Sequence, residues 1–173
     1  MSVIQPGILL LLVAMAATSL PGCDRATPAA QRQAGATALA PAAAAKPLLV
    51  VTKNPTCGCC VAWVDAMRRA GFDVQVHDVD NLDPIKTQVG IPVGKGSCHT
   101  AQVGGYFIEG HVPAEDIERL LTERPDAKGL VLPGMPPGAP GMEVPGSNRP
   151  YTVELVRRDG TTVPYAAHGV SER

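Results

Sequence analysis

Four cysteines in this 173-residue chain have the types and spacing of a chemically active site. Cys57, Cys59 and Cys60 lie in one short segment, and Cys98 lies further along the chain. The C-x-x-C spacing of Cys57 and Cys60 lets the two sulfurs form a disulfide or share a metal ion. Cys59 is not needed by a redox dithiol, so its presence favours a cluster of thiolates around metal.

The type of ligand limits the choice of metal. Thiolate-rich sites select Cu(I), zinc or iron–sulfur clusters. Structural zinc usually takes two separated ligand pairs, whereas three thiols in one turn suit sulfurs that bridge several Cu(I) ions. Iron–sulfur is disfavoured because the sequence carries no twin-arginine export signal. We therefore expect Cu(I), with more than one ion per chain, although structural disulfides or a metal-free redox dithiol remain open.

Other side chains are weaker candidates for the site. His99 follows Cys98 and is a candidate ligand or a hydrogen-bond partner of the site, and the loop residues Met135 and Met142 carry thioethers that suit Cu(I). Packing is the default function of a methionine, and Met67 is expected in the core. Lys53 and Lys95 are expected to offset part of the thiolate charge. His77 is expected to be solvated, and His168 is expected near the frayed end of the chain. His111 is expected to tie down the turn before the Pro113 helix, with a metal role as the alternative.

The elements around the cysteines alternate between strand and helix. Residues 48–52 form an apolar strand, and a helix over 58–70 places Cys60, Trp63, Val64 and Met67 on one face. The cysteines then stand at a helix N-terminus, where N–H groups and the helix dipole favour thiolate. The further predicted elements are a strand over 72–79, a helix over 82–89, a hairpin of 99–103 and 106–109, and a helix over 113–124.

This βαβ-α-ββα order predicts an α/β protein with a thioredoxin-like fold. In that fold the loop before the third strand, which carries Cys98, lies against the C-x-x-C turn. We expect the core to span 47–125. Residues 126–173 are expected to form a C-terminal extension packed on it, with a Pro/Gly-rich loop over 130–150 and a β-hairpin around Asp159-Gly160.

The N-terminus predicts export. The apolar run over 8–18 is too short for a comfortable membrane span and fits a signal peptide. It ends in Leu20-Pro21-Gly22-Cys23, which is lipobox-like although Pro21 is unusual there. We expect a signal over 1–22, lipidation of Cys23 with anchoring to the inner membrane, a flexible tether over 23–46, and a periplasmic location. An ordinary cleaved signal or an uncleaved anchor remain the alternatives to the lipoprotein signal. A net charge of −1 without a basic run argues against nucleic-acid binding.

Several motifs resemble the CopG-like copper-resistance family, an envelope group of metal-binding proteins of poorly defined function. They are Asn54-Pro55-Thr56-Cys57-Gly58-Cys59-Cys60, Ser97-Cys98-His99-Thr100, Gly104-Gly105-Tyr106, Glu109-Gly110-His111-Val112-Pro113, Leu132-Pro133-Gly134-Met135-Pro136 and Pro140-Gly141-Met142-Glu143. The resemblance implies a thioredoxin-like fold, a periplasmic location and copper bound by the four thiols. Ser97-Cys98 fills the place of the cis-proline of ordinary thioredoxins, which puts generic disulfide exchange in doubt.

The leading hypothesis is an envelope copper-binding protein in copper resistance, with or without copper redox activity. Its expected partners are copper ions and other envelope copper-handling proteins, and whether it is an enzyme stays open. The alternative is a periplasmic thiol–disulfide oxidoreductase acting on protein substrates. An arsenate-type reductase using Cys57 as nucleophile ranks last because the motif lacks an adjacent anion-binding arginine.

Overall fold

The structure is a computed structural model that describes residues 45–146 and 149–169. The predicted signal peptide, the lipidation site Cys23 and nearly all of the tether lie outside the described residues. The described residues form seven strands and three helices. In chain order these are β1 (Leu49–Lys53), α1 (Gly58–Arg69), β2 (Val74–Asp78), α2 (Asp83–Val89), β3 (His99–Val103), β4 (Tyr106–Glu109), α3 (Ala114–Glu123), β5 (Ala127–Val131), β6 (Tyr151–Arg157) and β7 (Thr162–His168).

All the described strands belong to one mixed sheet in the order β2-β1-β3-β4-β5-β6-β7. The β1–β2 and β4–β5 pairs are parallel, and the other neighbouring pairs are antiparallel. Because β1 and β3 are antiparallel, Lys53 at the end of β1 pairs with His99 at the start of β3. The segment after β1 and the residue before β3 therefore meet at the same end of the sheet, and these segments carry the cysteines.

Helix α1 covers the sheet with the face that its sequence predicts. Cys60, Trp63, Val64 and Met67 are its buried residues. Burying a side chain as large as Met67 contributes about 1.5–3 kcal/mol, so this face fixes α1 on the core. Trp63 also donates its indole N–H to the carbonyl oxygen of Val112, at 2.9 Å. The helix ends before Gly71, whose φ of +86° favours glycine.

The hairpin of β3 and β4 has the predicted bounds and turns at Gly104-Gly105. Helix α3 begins one residue later than predicted, because Pro113 has extended backbone angles and caps the helix. Strand β5 was not predicted. It lies between β4 and β6, and a Cβ at Gly129 would overlap the carbonyl of Phe107, so this position requires glycine.

The predicted C-terminal hairpin corresponds to β6 and β7, which continue the sheet beyond β5. His168, expected near a frayed end, is held at the end of β7. Its Nε2 lies 2.7 Å from a carboxylate oxygen of Asp116 in α3, and its ring stacks on Tyr151. Among the described residues, no helix combines the length and apolarity that a membrane crossing requires.

Candidate metal centre

The structure brings the four cysteines of interest together. The sulfur atoms of Cys57, Cys59, Cys60 and Cys98 all lie within 4.8 Å of one another. Cys57 and Cys60 are joined by a disulfide, whereas Cys59 and Cys98 are free among the described cysteines. Cys59 Sγ is 3.4 Å from Cys57 Sγ, and Cys60 Sγ is 3.5 Å from the carbonyl oxygen of Cys98. Reduction of the one disulfide would therefore expose four thiols in a single small volume.

A short turn positions the first three cysteines. Asn54 accepts hydrogen bonds on its side-chain oxygen from the backbone N–H of Thr56, at 3.0 Å, and from the Thr56 hydroxyl, at 2.7 Å. The N–H of Cys57 donates to the Asn54 carbonyl at 3.1 Å, and Cys57 then caps α1. Cys59 and Cys60 consequently stand in the first helical turn, where unpaired N–H groups stabilise negative charge on sulfur.

A buried carboxylate positions Cys98 from the other side. Glu109 in β4 is fully buried, and it accepts hydrogen bonds from the Ser97 N–H at 2.6 Å and the Thr100 hydroxyl at 2.7 Å. Lys86 of α2 forms an ion pair with the same carboxylate. Because the residues flanking the Cys98–His99 pair are both bound to Glu109, the cysteine is held in place at the start of β3. Sequence reasoning missed this function of Glu109, for which the only signal was an acid in an otherwise apolar strand.

Two histidines flank Cys98. The Nε2 atom of His111 is 3.0 Å from Cys98 Sγ, and Nδ1 of His99 is 3.4 Å from the same sulfur. His111 also bonds through Nδ1 to the carbonyl oxygen of Pro140, at 2.8 Å. The expected hydrogen-bonding function of His111 is therefore present, but its contact with Cys98 was missed.

Burial dominates the ionisation of this region. Burial, and after it the negative charge of Cys59, raise the pKa of the Cys98 thiol to about 11. Burial likewise lowers the pKa of His111, and it lowers the pKa of His99 well below its ordinary value. In the absence of metal, Cys98 is a neutral thiol and both imidazoles are neutral at pH 7.

The loop with the two candidate methionines lies against the cysteine site. The N–H of Gly134 donates to the Gly96 carbonyl at 3.4 Å, and the Ser97 hydroxyl donates to the Gly134 carbonyl. Gly141, with φ of +81°, packs so closely on α1 that a Cβ would lie 2.7 Å from the Cys59 carbonyl oxygen. Gly134 and Gly141 are each followed by a methionine. Met142 packs partly buried against the core, and Met135 is exposed.

The other candidate side chains lie elsewhere. Lys53 pairs with Asp78 at 2.7 Å and Lys95 with Glu154 at 2.6 Å. Their charges are thus compensated by carboxylates, which corrects the expectation that they offset the thiolates. Met67 is buried in the core and His77 is exposed, as expected.

The arrangement can do two kinds of chemistry. With the disulfide reduced, four sulfur ligands converge, which is a donor set for soft metal ions. With the disulfide formed, the site stores two oxidising equivalents at a helix N-terminus, as thiol–disulfide exchange requires. The two states differ by two electrons and two protons.

Comparison with known proteins identifies relatives of this arrangement. A family model described as a protein of unknown function, DUF411, matches residues 95–142. Two solved structures, described as form 1 and form 2 of copper resistance protein CopG, are each 38% identical to this chain. Each match covers 71% of this chain and 98% of the solved chain, with a TM-score of 0.68. No curated protein matches the sequence.

Proposed function

The chain belongs to the family of the copper resistance protein CopG, and from that premise we propose that it binds copper in the cell envelope as part of copper resistance. The ligands are the thiolates of Cys57, Cys59, Cys60 and Cys98. The observation that carries this proposal is that these sulfurs converge from two separate segments of the chain. Cys60 and Cys98 are 38 residues apart in the sequence. A structural disulfide requires only two of them.

Cu(I) is the ion that this donor set suits best. It is soft and prefers thiolates, and it accepts the low coordination numbers that crowded sulfurs impose. Three of the sulfurs belong to a single turn, so they can bridge neighbouring ions more easily than they can surround one ion as a tetrahedron. We therefore propose more than one Cu(I) per chain.

The same thiols can change the oxidation state of copper. Two Cu(II) ions accept one electron each from Cys57 and Cys60, which yields two Cu(I) ions, the Cys57–Cys60 disulfide and two protons. Cys59 and Cys98 remain as thiols in that state. In this scheme the protein is a copper oxidoreductase as well as a copper-binding protein.

Further ligands come from residues beside the cysteines. The loop over 133–143 contacts Ser97 and the Cys59 carbonyl, and this packing supports Met135 and Met142 as thioether ligands that cap copper. His99 is the candidate nitrogen ligand, 3.4 Å from Cys98 Sγ.

The wider organisation follows from the sequence. We propose a thioredoxin-like core over 47–125 with a C-terminal extension over 126–173. A tether over 23–46 and a signal peptide over 1–22 would place the core in the periplasm, anchored to the inner membrane through lipid on Cys23. Copper ions, and other envelope copper-handling proteins, are the proposed partners.

The Cys57–Cys60 disulfide at the N-terminus of α1 supports a second candidate function. A disulfide in this position can exchange with thiols of other proteins, so the alternative is a periplasmic thiol–disulfide oxidoreductase. Disulfide exchange needs neither Cys59 nor Cys98, whereas the copper proposal needs both.

Anaerobic titration of the reduced protein with Cu(I) tests the proposal. We expect more than one copper per chain, and we expect Cys98→Ser to abolish this stoichiometry. Cys23→Ser is the matched control and should leave it unchanged. The copper proposal fails if the wild type retains no copper while Cys59→Ser/Cys98→Ser keeps full insulin-reductase activity, a result that would establish the alternative.

A further inference from the structure

Formation of the Cys57–Cys60 disulfide removes two sulfurs from the four-thiol site but leaves the surroundings of Cys98 intact. In the state described here, that disulfide is formed, and one ligand atom each from Cys98, His99 and His111 lie within 4.8 Å of one another. Two of the three residues are fully buried histidines. The three residues are a second possible set of ligands that does not depend on the state of the disulfide.

We propose that Cys98, His99 and His111 form a second copper position, an imidazole–thiolate site that stays complete when Cys57 and Cys60 are oxidised. The choice of copper rests on the proposed function, whereas the existence of the site rests on the geometry of these three residues. Cys98 belongs to both ligand sets. Its thiolate would therefore connect copper bound by the two histidines to the four-cysteine cluster.

The ring of His111 is oriented as that of a metal ligand is. Its Nδ1 lies 2.8 Å from the carbonyl oxygen of Pro140, and a carbonyl accepts only from N–H, so the proton of the neutral ring is on Nδ1. The lone pair of Nε2 then faces Cys98 Sγ at 3.0 Å. Histidines that bind metals almost always donate their other N–H to a carbonyl or carboxylate in this way, which fixes the tautomer and the ring direction.

Burial of the His99 ring leaves one of its nitrogens without a hydrogen bond among the described residues. The side chain is fully buried, and the nitrogen concerned is Nε2. Its Nδ1 is 3.4 Å from Cys98 Sγ, and its ring packs 4.4 Å from Trp63 and 5.0 Å from His111, measured between ring centroids. Burying a polar ring without satisfying it costs free energy that an apolar residue of the same size would avoid. A metal ion beside Cys98 would be bound by Nδ1 of this imidazole, the nitrogen that faces the sulfur.

The donor set explains why copper would use this position as well as the cluster. Two imidazoles and one thiolate are a set that accepts Cu(II) as well as Cu(I), whereas a set of thiolates alone favours Cu(I). Metal–nitrogen and metal–sulfur bonds of about 2.0–2.3 Å place neighbouring ligand atoms roughly 3.5 Å apart. The present separations from Cys98 Sγ, 3.0 Å to His111 Nε2 and 3.4 Å to His99 Nδ1, are close to that spacing.

The experiment isolates this position from the four-thiol cluster. Protein carrying Cys23→Ser and Cys59→Ser, with the Cys57–Cys60 disulfide formed, keeps Cys98 as its one thiol. Co(II) is the probe, because it neither oxidises thiols nor reduces disulfides, and its absorption reports thiolate ligation and tetrahedral geometry. We expect one Co(II) per chain, with sulfur-to-cobalt charge transfer and strong d–d bands.

Single substitutions then identify the ligands. His99→Gln and His111→Gln should each lower the Co(II) affinity at least about tenfold and weaken the d–d bands, and Cys98→Ser should remove the charge-transfer band. His77→Gln, at an exposed histidine, is the matched control and should change nothing. Thermal unfolding of each variant without metal shows that the protein is folded.

The proposal is overturned if the protein with the disulfide binds no Co(II), or if both histidine variants bind it with unchanged affinity and spectrum. Either result leaves the four-cysteine cluster untouched, because that site is tested separately by Cu(I) titration of the reduced protein. Conversely, Co(II) binding here together with no Cu(I) bound by reduced protein would preserve the site and reject the proposed cluster.

Discussion

Cys98 donates its thiol proton to His111, whose Nε2 lies 3.0 Å from Cys98 Sγ. The direction follows from the opposite side of the ring, where His111 Nδ1–H donates to Pro140. Burial raises the pKa of Cys98 and lowers the pKa of His111, so the proton stays on sulfur rather than forming a thiolate–imidazolium pair. Cys98 is thus a protonated thiol that must release its proton when it binds metal.

Alkylation of Cys98 should therefore be slow and strongly dependent on pH. With a pKa of about 11, its thiolate fraction at pH 8 is a few hundredfold below that of an ordinary cysteine. The greater nucleophilicity of a more basic thiolate recovers roughly tenfold, so the net rate should be about 20-fold lower. Mass spectrometry of the Cys98-containing peptide, after timed reaction of the wild-type protein with iodoacetamide, measures this rate.

The pH profile separates ionisation from simple shielding. If the thiol pKa is raised, the rate should climb about tenfold per pH unit from pH 8 to 10. A slow rate that levels off near pH 9 would show that Cys98 is only sterically protected. A short cysteine peptide measured in parallel provides the reference.

Replacement of the buried carboxylate should destabilise the fold. Glu109→Gln leaves Lys86 without its counter-ion in a largely buried position, and we expect a loss of about 3 kcal/mol in the free energy of unfolding. Glu154→Gln breaks the more exposed pair with Lys95 and should cost about 1 kcal/mol or less. Urea unfolding compares the two. Equal losses would contradict the anchoring function that we assign to Glu109.

Local patterns predicted the elements that carry the cysteines. The apolar period of α1 placed Cys60 with Trp63 and Met67 on the buried face, and alternation around Gly104-Gly105 gave the bounds of the β3–β4 hairpin. These elements were predictable because their signals lie within a few residues of one another. Strand β5 escaped prediction because Gly129 at its centre weakens the strand pattern, and that glycine is required by a contact with Phe107 in another strand.

The partners of Cys98 depend on contacts that no local pattern contains. Gly110, with φ of +76°, lets the chain turn after β4, and a Cβ there would lie 2.6 Å from Cys98's neighbour Ser97. That close approach brings His111 to the sulfur across 13 residues of sequence. The signal that sequence reasoning underused was the Gly110-His111 pair directly after a strand. Pro140 positions His111, and Glu109 positions the residues beside Cys98. Neither function could be predicted from the sequence, because both contacts join segments that are distant along the chain.

The methionine loop should respond to substitution of Gly141 more strongly than of Gly134. Both have positive φ, so alanine costs about 1–2 kcal/mol of backbone strain at either position. Only at Gly141 does the added Cβ also meet backbone, 2.7 Å from the Cys59 carbonyl oxygen, whereas Gly134 has open space. We expect Gly141→Ala to lose about 1–3 kcal/mol more in urea unfolding, and to bind Cu(I) more weakly. Similar losses in the two variants would show that the loop does not press on α1.

Substitution of the loop methionines tests whether their sulfurs hold copper. Met135→Leu/Met142→Leu conserves volume, so the fold should lose little stability, and the shape of the loop on Ser97 and α1 should persist. Removal of the thioethers should lower Cu(I) affinity by about tenfold, the scale on which supporting groups change metal binding. Competition with a Cu(I) chelator measures the change. Met67→Leu makes the same replacement inside the core and should leave affinity as it is. If the double variant retains wild-type affinity, the two methionines contribute packing alone, and cysteine and histidine must supply every ligand.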